Sequence, residues 1–309
     1  MRVLFYGTPA FAVPTLDALL GHHDVVAAVT QPDRPAGRGQ RLEASPVKRR
    51  ALDRGVPVLQ PTRLRDRRWP SQLASFGAEV AVVAAFGQIL PPAVLAVPRR
   101  GSINVHASLL PRYRGAAPVA WAVIRGETET GVTTFQMDAG LDTGPVLLQR
   151  AIPIGPDETA GELAARLAEL GAELLVETLE RLDALVPEPQ DDAGATLAPR
   201  LRREDGYPDW TWSAARLVRL VRGLNPRPGV VVATRAGRLV IWRARVTPGA
   251  AEPGVLVAAG DRLAVGTGAE LLLPLEVQPA NRRAMRWDAF LRGARLAAGT
   301  RLGIPGAAP

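Results

Sequence analysis

Asn104, His106 and Asp142 are polar side chains in an otherwise mostly small and apolar stretch from Ser102 to Leu147, SINVHASLLPRYRGAAPVAWAVIRGETETGVTTFQMDAGLDTGPVL. Asn104 and His106 stand two apart, so on an extended strand they face the same side. Asp142 sits in the loop Ala139-Gly140-Leu141-Asp142-Thr143-Gly144, whose glycines let a carboxylate approach a strand end without steric conflict. An amide donor, an imidazole and a carboxylate can together hold a developing oxyanion and move a proton during acyl transfer. A lone histidine is more often structural than catalytic, and an aspartate between glycines is often only a turn. The histidine count weighs against that here. The chain has three, and His22 and His23 are adjacent at the polar end of the first expected helix. That leaves His106 as the imidazole placed for chemistry near neutral pH.

The surrounding pattern predicts how these residues are held. Residues 2–6 form a short apolar run ending in Gly7-Thr8-Pro9, read as a buried strand followed by a helix over about 10–20. Residues 24–30 give a second strand, and this βαβ alternation predicts a doubly wound, mostly parallel α/β sheet. Ser45-Pro46 opens a helix to about residue 54, with Ser as N-cap and Pro at the first helical position. A short strand over 56–59 carries Pro57 and so belongs at an edge. Residues 69–76 read as a helix, and the apolar run 80–85 as a central parallel strand. Residues 101–105 deliver Asn104 and His106 at a strand end. A helix follows over 117–125, then a strand over 131–137 with 146–152 antiparallel beside it. Residues 159–185 carry leucines at helical spacing and close the first domain. Neither a GxGxxG nor a Walker sequence occurs, so nucleotide binding is not indicated.

Residues 31–45, QPDRPAGRGQRLEAS, are a long loop made basic by Arg34, Arg38 and Arg41, and loops this long inside a compact domain are usually functional or disordered. Residues 186–209 are loop-like with a basic patch, and 210–224 read as a helix. Short strand signals at 230–233, 239–245, 254–258, 263–266 and 270–278, separated by Gly and Pro, predict a small β-barrel. The expected organisation is therefore a catalytic domain over 1–187, a linker over 188–206 and a C-terminal domain over 207–309.

Charge follows that division. Residues 1–199 hold 20 Lys and Arg against 22 Asp and Glu, whereas residues 200–309 hold 18 against 8. A C-terminal third this basic suits a polyanion partner, although Arg-rich surfaces are also common in Arg-biased proteomes. The chain has no cysteine, which excludes disulfides and thiolate metal sites. No apolar run reaches the roughly 18 residues of a membrane span, and the N-terminus lacks a signal-peptide layout. A cytoplasmic protein is expected.

The stretch NVHASLLPRYRGAAP followed by GVTTFQMDAGLDTG resembles the folate-dependent formyltransferases. The resemblance runs along nearly the whole chain, through GTPAF, QPDRPAGRG, AAFGQILP and NPRPG, and QPDRPAGRG with the long C-terminal region narrows it to the methionyl-tRNA formyltransferase family. This implies a formyltransferase Rossmann-like domain with an OB-like barrel. It implies 10-formyltetrahydrofolate as formyl donor and initiator methionyl-tRNA as acceptor, for translation initiation, with no metal. Asn104, His106 and Asp142 take the catalytic positions. The folate-contacting segments correspond to Phe86, Gly87, Gln88, Ile89 and Leu90, and to Ser108, Leu109, Leu110 and Pro111. The basic loop would meet the tRNA acceptor region through Arg34, Arg38 and Arg41, with Arg38 the matching arginine. Family members often carry lysines after GRG, where this chain has Gln40-Arg41. Arg202, Arg203, Arg282 and Arg283 are further expected tRNA contacts, and a monomer is expected.

Two other classes share part of this pattern. A formyltransferase acting on a small amine would need Asn104, His106 and Asp142 but neither the 31–45 loop nor the basic tail. A non-catalytic RNA-binding protein would need the barrel but not the polar set.

Overall fold

A computed structural model describes residues 1–36 and 41–304. Its contacts divide the chain into two compact units. One is Met1–Pro118 with Glu129–Pro153 and Ala164–Pro199, the other Val119–Thr128 with Ile154–Leu163 and Arg200–Pro309.

The first unit begins with β1 (Arg2–Gly7), α1 (Val13–His22) and β2 (Asp24–Val29). A small hairpin of β3 (Arg34–Ala36) and β4 (Arg41–Glu43) follows, then α2 (Pro46–Asp53), β5 (Val58–Leu59), α3 (Arg68–Ala74), β6 (Val80–Ala84), α4 (Pro92–Leu95) and β7 (Ser102–His106). After α5 (Pro118–Arg125) the chain returns through β8 (Glu129–Gln136) and β9 (Val146–Pro153) into the long α6 (Ala160–Glu180).

The seven-stranded sheet has the order β5-β2-β1-β6-β7-β8-β9. It is parallel from β5 to β7, and β8 and β9 run antiparallel. The chain leaves β1 in one direction and resumes at β6 in the other. The carboxyl ends of β1 and β6 therefore flank a topological switch point, where open α/β sheets bind ligands. One face carries Leu4, Tyr6, Val29, Ala81 and Val83, which pack with Trp69 and Leu73 of α3 and Val94 of α4. On β8 and β9, Thr134 and Arg150 reach α6. Thr134 Oγ1 lies 2.8 Å from Thr178 Oγ1, and Arg150 Nη2 lies 2.6 Å from Glu177 Oε2. The interior is apolar on both sides of the sheet because the parallel strands are continuous Val/Ala runs, as in VAVVA of β6.

The 31–45 segment, expected as a long loop, carries a pair of short strands. Arg34 faces Glu43 and Ala36 faces Arg41 across the hairpin. Its base is fixed by Lys48, whose Nζ lies 2.7 Å from Asp33 Oδ2, and by Gln60, whose amide reaches Asp33 Oδ1 at 2.8 Å. These two hydrogen bonds, Lys48 first, hold the Asp33 carboxyl below its usual range. Arg38 lies outside the described residues.

The second unit takes up α7 (Ala214–Gly223), β10 (Val230–Thr234), β11 (Gly237–Thr247), β12 (Leu256–Ala259), β13 (Arg262–Gly266), β14 (Leu271–Pro279), β15 (Met285–Arg286) and α8 (Trp287–Ala294). Its antiparallel sheet has the order β10-β11-β14-β13-β12, with β15 beside β14. The two edges meet a common segment, since Gly303 bridges to Ala233 of β10 and Arg301 bridges to Val255 just before β12. The result is barrel-like, as the spaced strand signals predicted. Its core is Val230, Val232, Leu239, Ile241, Leu272, Val277 and the side chains of Leu217, Leu220 and Trp287. No helix among the described residues is long and apolar enough to cross a membrane.

Candidate active site

β7 sets Asn104 and His106 on one face and Ile103 and Val105 on the other, by the two-residue period of a strand. In the antiparallel ladder to β8, Asn104 pairs with Phe135 and His106 with Thr133. The His106 ring stands edge-on to Phe135, with centroids 6.5 Å apart. The imidazole is buried, and its Nε2 lies 2.9 Å from the carbonyl oxygen of Tyr113. A carbonyl only accepts, so Nε2 carries a hydrogen. Nδ1 is left facing Asp142, whose Oδ2 lies 3.7 Å away. That is ion-pair range but longer than a hydrogen bond.

Asp142 is held from two sides. Its Oδ2 accepts from the Gly115 amide at 2.8 Å, and its backbone is left-handed, with φ 54°. Within the loop, Asp138 Oδ1 accepts from Gly140 N at 2.9 Å and from the Thr143 hydroxyl at 2.8 Å. Gly144 is required where it stands, because a Cβ there would run into the carbonyl of Gln136. Gly115 has φ 119°, and a Cβ on it would meet the Ala198 carbonyl at 2.8 Å. The loop therefore reaches the carboxyl end of β7, where Asp142 lies beside His106. Asn104 is half-buried, and among the described residues its side-chain amide has no hydrogen-bond partner. It is the open donor of the set.

The expected folate segments lie at the carboxyl ends of the same strands, but their side chains divide. Phe86 is buried edge-on to Tyr6, and its carbonyl accepts from Thr8 Oγ1 at 2.8 Å. The same burial pushes the Tyr6 phenol far above its ordinary value. The Gln88 amide is used up within the fold, accepting from Leu64 N at 3.1 Å and donating to Pro61 O at 2.8 Å. Leu90 is buried as well, so Gly87 and Ile89 present this loop to solvent. In the second segment the Ser108 hydroxyl donates to Arg112 O at 2.6 Å, and Leu110 N donates to Thr133 Oγ1 at 3.1 Å. Leu109 and Pro111 are half-buried.

Arg34 and Arg41 are exposed on the hairpin. Arg202, Arg203, Arg282 and Arg283 are exposed on the second unit.

Residues 1–179 match the Formyl transferase family, and residues 200–295 match the Formyl transferase, C-terminal domain family. A methionyl-tRNA formyltransferase of Geobacter metallireducens is 48% identical over 307 residues, spanning 98% of this chain and 99% of that protein. The chain belongs to the methionyl-tRNA formyltransferase family. A second relative of that name, from Thermus thermophilus, is 49% identical over 304 residues, with 98% and 99% of the two chains covered. Among solved structures, a methionyl-tRNA formyltransferase from Clostridium thermocellum superposes with a TM-score of 0.58 over 80% of this chain and 94% of that one. At 16% identity that likeness concerns the fold.

Several residues at the site carry no signal in sequence. The Tyr113 carbonyl and the Gly115 amide act through the backbone, so their side-chain identity says nothing about the role. Arg114, buried to 7% exposure, donates to Gln190 Oε1 from Nε at 3.1 Å and from Nη2 at 2.8 Å. Gln190 comes from the segment expected to be a linker. That segment returns to the site, where Tyr113 N donates to Thr196 Oγ1 at 2.8 Å and Ala198 N donates to Arg114 O at 2.7 Å. Thr133 and Gln149 form a second support. Gln149 Nε2 donates to Leu110 O at 2.7 Å and to Thr133 Oγ1 at 2.9 Å, and Thr133 Oγ1 donates to Ser108 O at 2.7 Å.

Proposed function

We propose that the protein transfers the formyl group of 10-formyltetrahydrofolate to the α-amino group of initiator methionyl-tRNA, yielding N-formylmethionyl-tRNA and tetrahydrofolate. The observation that carries this is the open Asn104 amide on the strand that bears the His106–Asp142 pair, at the carboxyl end of β7 in a mostly parallel sheet. Family membership over the whole chain supports methionyl-tRNA as the acceptor.

In the chemistry this geometry supports, the amine lone pair attacks the formyl carbon and the carbonyl electrons move to oxygen. Asn104 Nδ2 and a proton on His106 Nδ1 stabilise that oxyanion, a task for which preorganised donors in a desolvated cleft are well suited. The carbon–N10 bond then breaks, its electron pair goes to N10, and N10 takes the proton from His106 Nδ1. Asp142 accepts the proton lost by the attacking nitrogen and returns it to Nδ1. No proton is gained or lost overall. The Tyr113 carbonyl keeps the ring from rotating while Nδ1 loses and regains its proton.

The remaining roles belong to the same proposal. Residues 1–187 carry the catalysis, with Gly87, Ile89, Leu109 and Pro111 offering the accessible folate contacts around Phe86, Gln88, Leu90, Ser108 and Leu110, which shape the loops. Residues 207–309 hold tRNA phosphates through Arg282 and Arg283, and Arg202 and Arg203 contribute from the intervening 188–206 segment. Arg34, Arg38 and Arg41 meet the acceptor end. The protein acts as a cytoplasmic monomer. The test is to incubate it with 10-formyltetrahydrofolate and methionyl-tRNA, hydrolyse the ester and measure N-formylmethionine. Formation by the parent and its loss in His106→Ala support the function, and absence of product in the parent overturns it.

A further inference from the structure

We propose that Gln190 is a positioning residue that acts through Asp142, an inference that rests on the formyl transfer proposed above. Its side-chain amide donates to the carbonyl oxygens of Asp142 at 2.8 Å and Gly144 at 2.7 Å. Its Oε1 accepts both hydrogen bonds from Arg114. Both donor hydrogens and the acceptor are thus committed, which fixes the plane and the direction of the amide. Arg114 is a firm support. It is buried, and its backbone is pinned by Thr196 O at 2.8 Å and Ala198 N at 2.7 Å. Its other partner, Asp192, is 83% exposed at the side chain and lies 2.8 Å from Nη2.

What Gln190 holds is a backbone that prefers to relax. A left-handed conformation is disfavoured at a non-glycine residue, and Asp142 adopts one with φ 54°. The two carbonyls that Gln190 grips bracket Thr143, so the amide fixes the chain on the C-terminal side of Asp142. The Asp138 carboxylate ties the loop across itself, accepting from Gly140 N on one side of Asp142 and from the Thr143 hydroxyl on the other. Leu141, between Gly140 and Asp142, is exposed. Without the Gln190 grip the Asp142 carboxylate keeps its hydrogen bond from Gly115 N but loses the backbone anchor that, with that bond, sets its distance to His106 Nδ1. Displacing a reacting group by about 1 Å can cost up to a hundredfold in rate.

The test is a double-mutant cycle on kcat for methionyl-tRNA formylation, with Gln190→Ala introduced into the parent and into Asp142→Ala. In the parent, Gln190→Ala should lower kcat by about tenfold to a hundredfold, with KM for donor and tRNA within about twofold. In Asp142→Ala it should add almost nothing, because the group it positions is gone. Gln190→Glu keeps the length and the acceptor for Arg114 but turns a carboxylate toward two carbonyls. It should lose kcat comparably while melting near the parent temperature, so it carries the test if Gln190→Ala folds poorly. Equal losses in both backgrounds would mark Gln190 as structural only, and parent-like kcat in both Gln190 variants would also overturn the inference. If Asp142→Ala itself turns over at the parent rate, the assigned role of Asp142 falls, and that of Gln190 with it. A slow Asp142→Ala beside a normal Gln190→Ala refutes the inference alone.

Discussion

Replacing Asn104 with alanine should separate catalysis from folding cleanly. The side-chain amide is half-buried and makes no hydrogen bond among the described residues, so truncation orphans no partner. Its own position on β7 is held in the ladders opposite Val83 of β6 and Phe135 of β8, which use backbone groups that alanine retains. The stability change should therefore stay within about 1 kcal/mol, in the range of substitutions that create neither a large cavity nor an unpaired polar group. The transition state loses one of two oxyanion donors, which costs about 2.7–4 kcal/mol, or roughly 10²–10³ in kcat. His106 keeps its interactions with Tyr113 and Asp142, so the residual activity is that of a site with one donor. Steady-state formylation of methionyl-tRNA at saturating donor, beside a thermal melt, reads both quantities. Asn104→Asp should be at least as slow, because it points an acceptor at the developing negative charge. An Asn104→Ala enzyme with parent kcat and a raised KM would show that the amide binds ground-state substrate, and the oxyanion assignment would be wrong.

Arg38→Ala should slow methionyl-tRNA formylation at least about tenfold, because removing one charged hydrogen bond costs about 1.5–3 kcal/mol, with folate binding intact. A parent rate would remove the 31–45 segment from tRNA recognition. Arg282→Ala with Arg283→Ala should flatten the dependence of log tRNA affinity on log salt by about one for each phosphate no longer neutralised, and an unchanged slope would contradict phosphate binding there. Acid should weaken the protein through Glu162. Its carboxyl is lowered to about 2, first by the Thr159 backbone N–H, then by the Thr159 hydroxyl and Arg243. A carboxyl lowered on folding stabilises above its unfolded value of 4.5 and loses that contribution as pH falls toward 2. The group is half exposed, so the effect is no more than about 1 kcal/mol. The melting difference between the parent and Glu162→Gln should accordingly shrink as pH drops through that window, and a constant difference would refute the linkage.

The parallel core was legible because buried strands are written as unbroken apolar runs, and the edge position of β5 because Pro57 precedes its two paired residues. Helix ends were less so. The leucine periodicity over 159–185 runs past the end of α6 at Glu180, after which Ala184 N bonds Arg181 O in a tighter turn. The expected helix over 210–224 begins only after Ser213, since Asp209 turns the chain by accepting from the Thr211 amide and hydroxyl. The β3–β4 hairpin was hidden because three-residue strands containing Pro35 show no alternation. At the site, period-two spacing gave Asn104 and His106, and the flanking glycines suggested that Asp142 could reach them. The residues that fasten that site were invisible for a different reason. Arg114 and Gln190 are far apart in sequence, and PEPQDDAG has the composition of a connector.

The measurement that tests the central claim most directly is a comparison of acceptors by the full chain, with 10-formyltetrahydrofolate as the common donor. Methionyl-tRNA and a small amine, such as an amino-sugar nucleotide, would be offered separately and in competition, and kcat/KM obtained for each. The account predicts that methionyl-tRNA is formylated with by far the larger kcat/KM and that raising salt erodes its advantage. A small amine formylated as efficiently as methionyl-tRNA would contradict it.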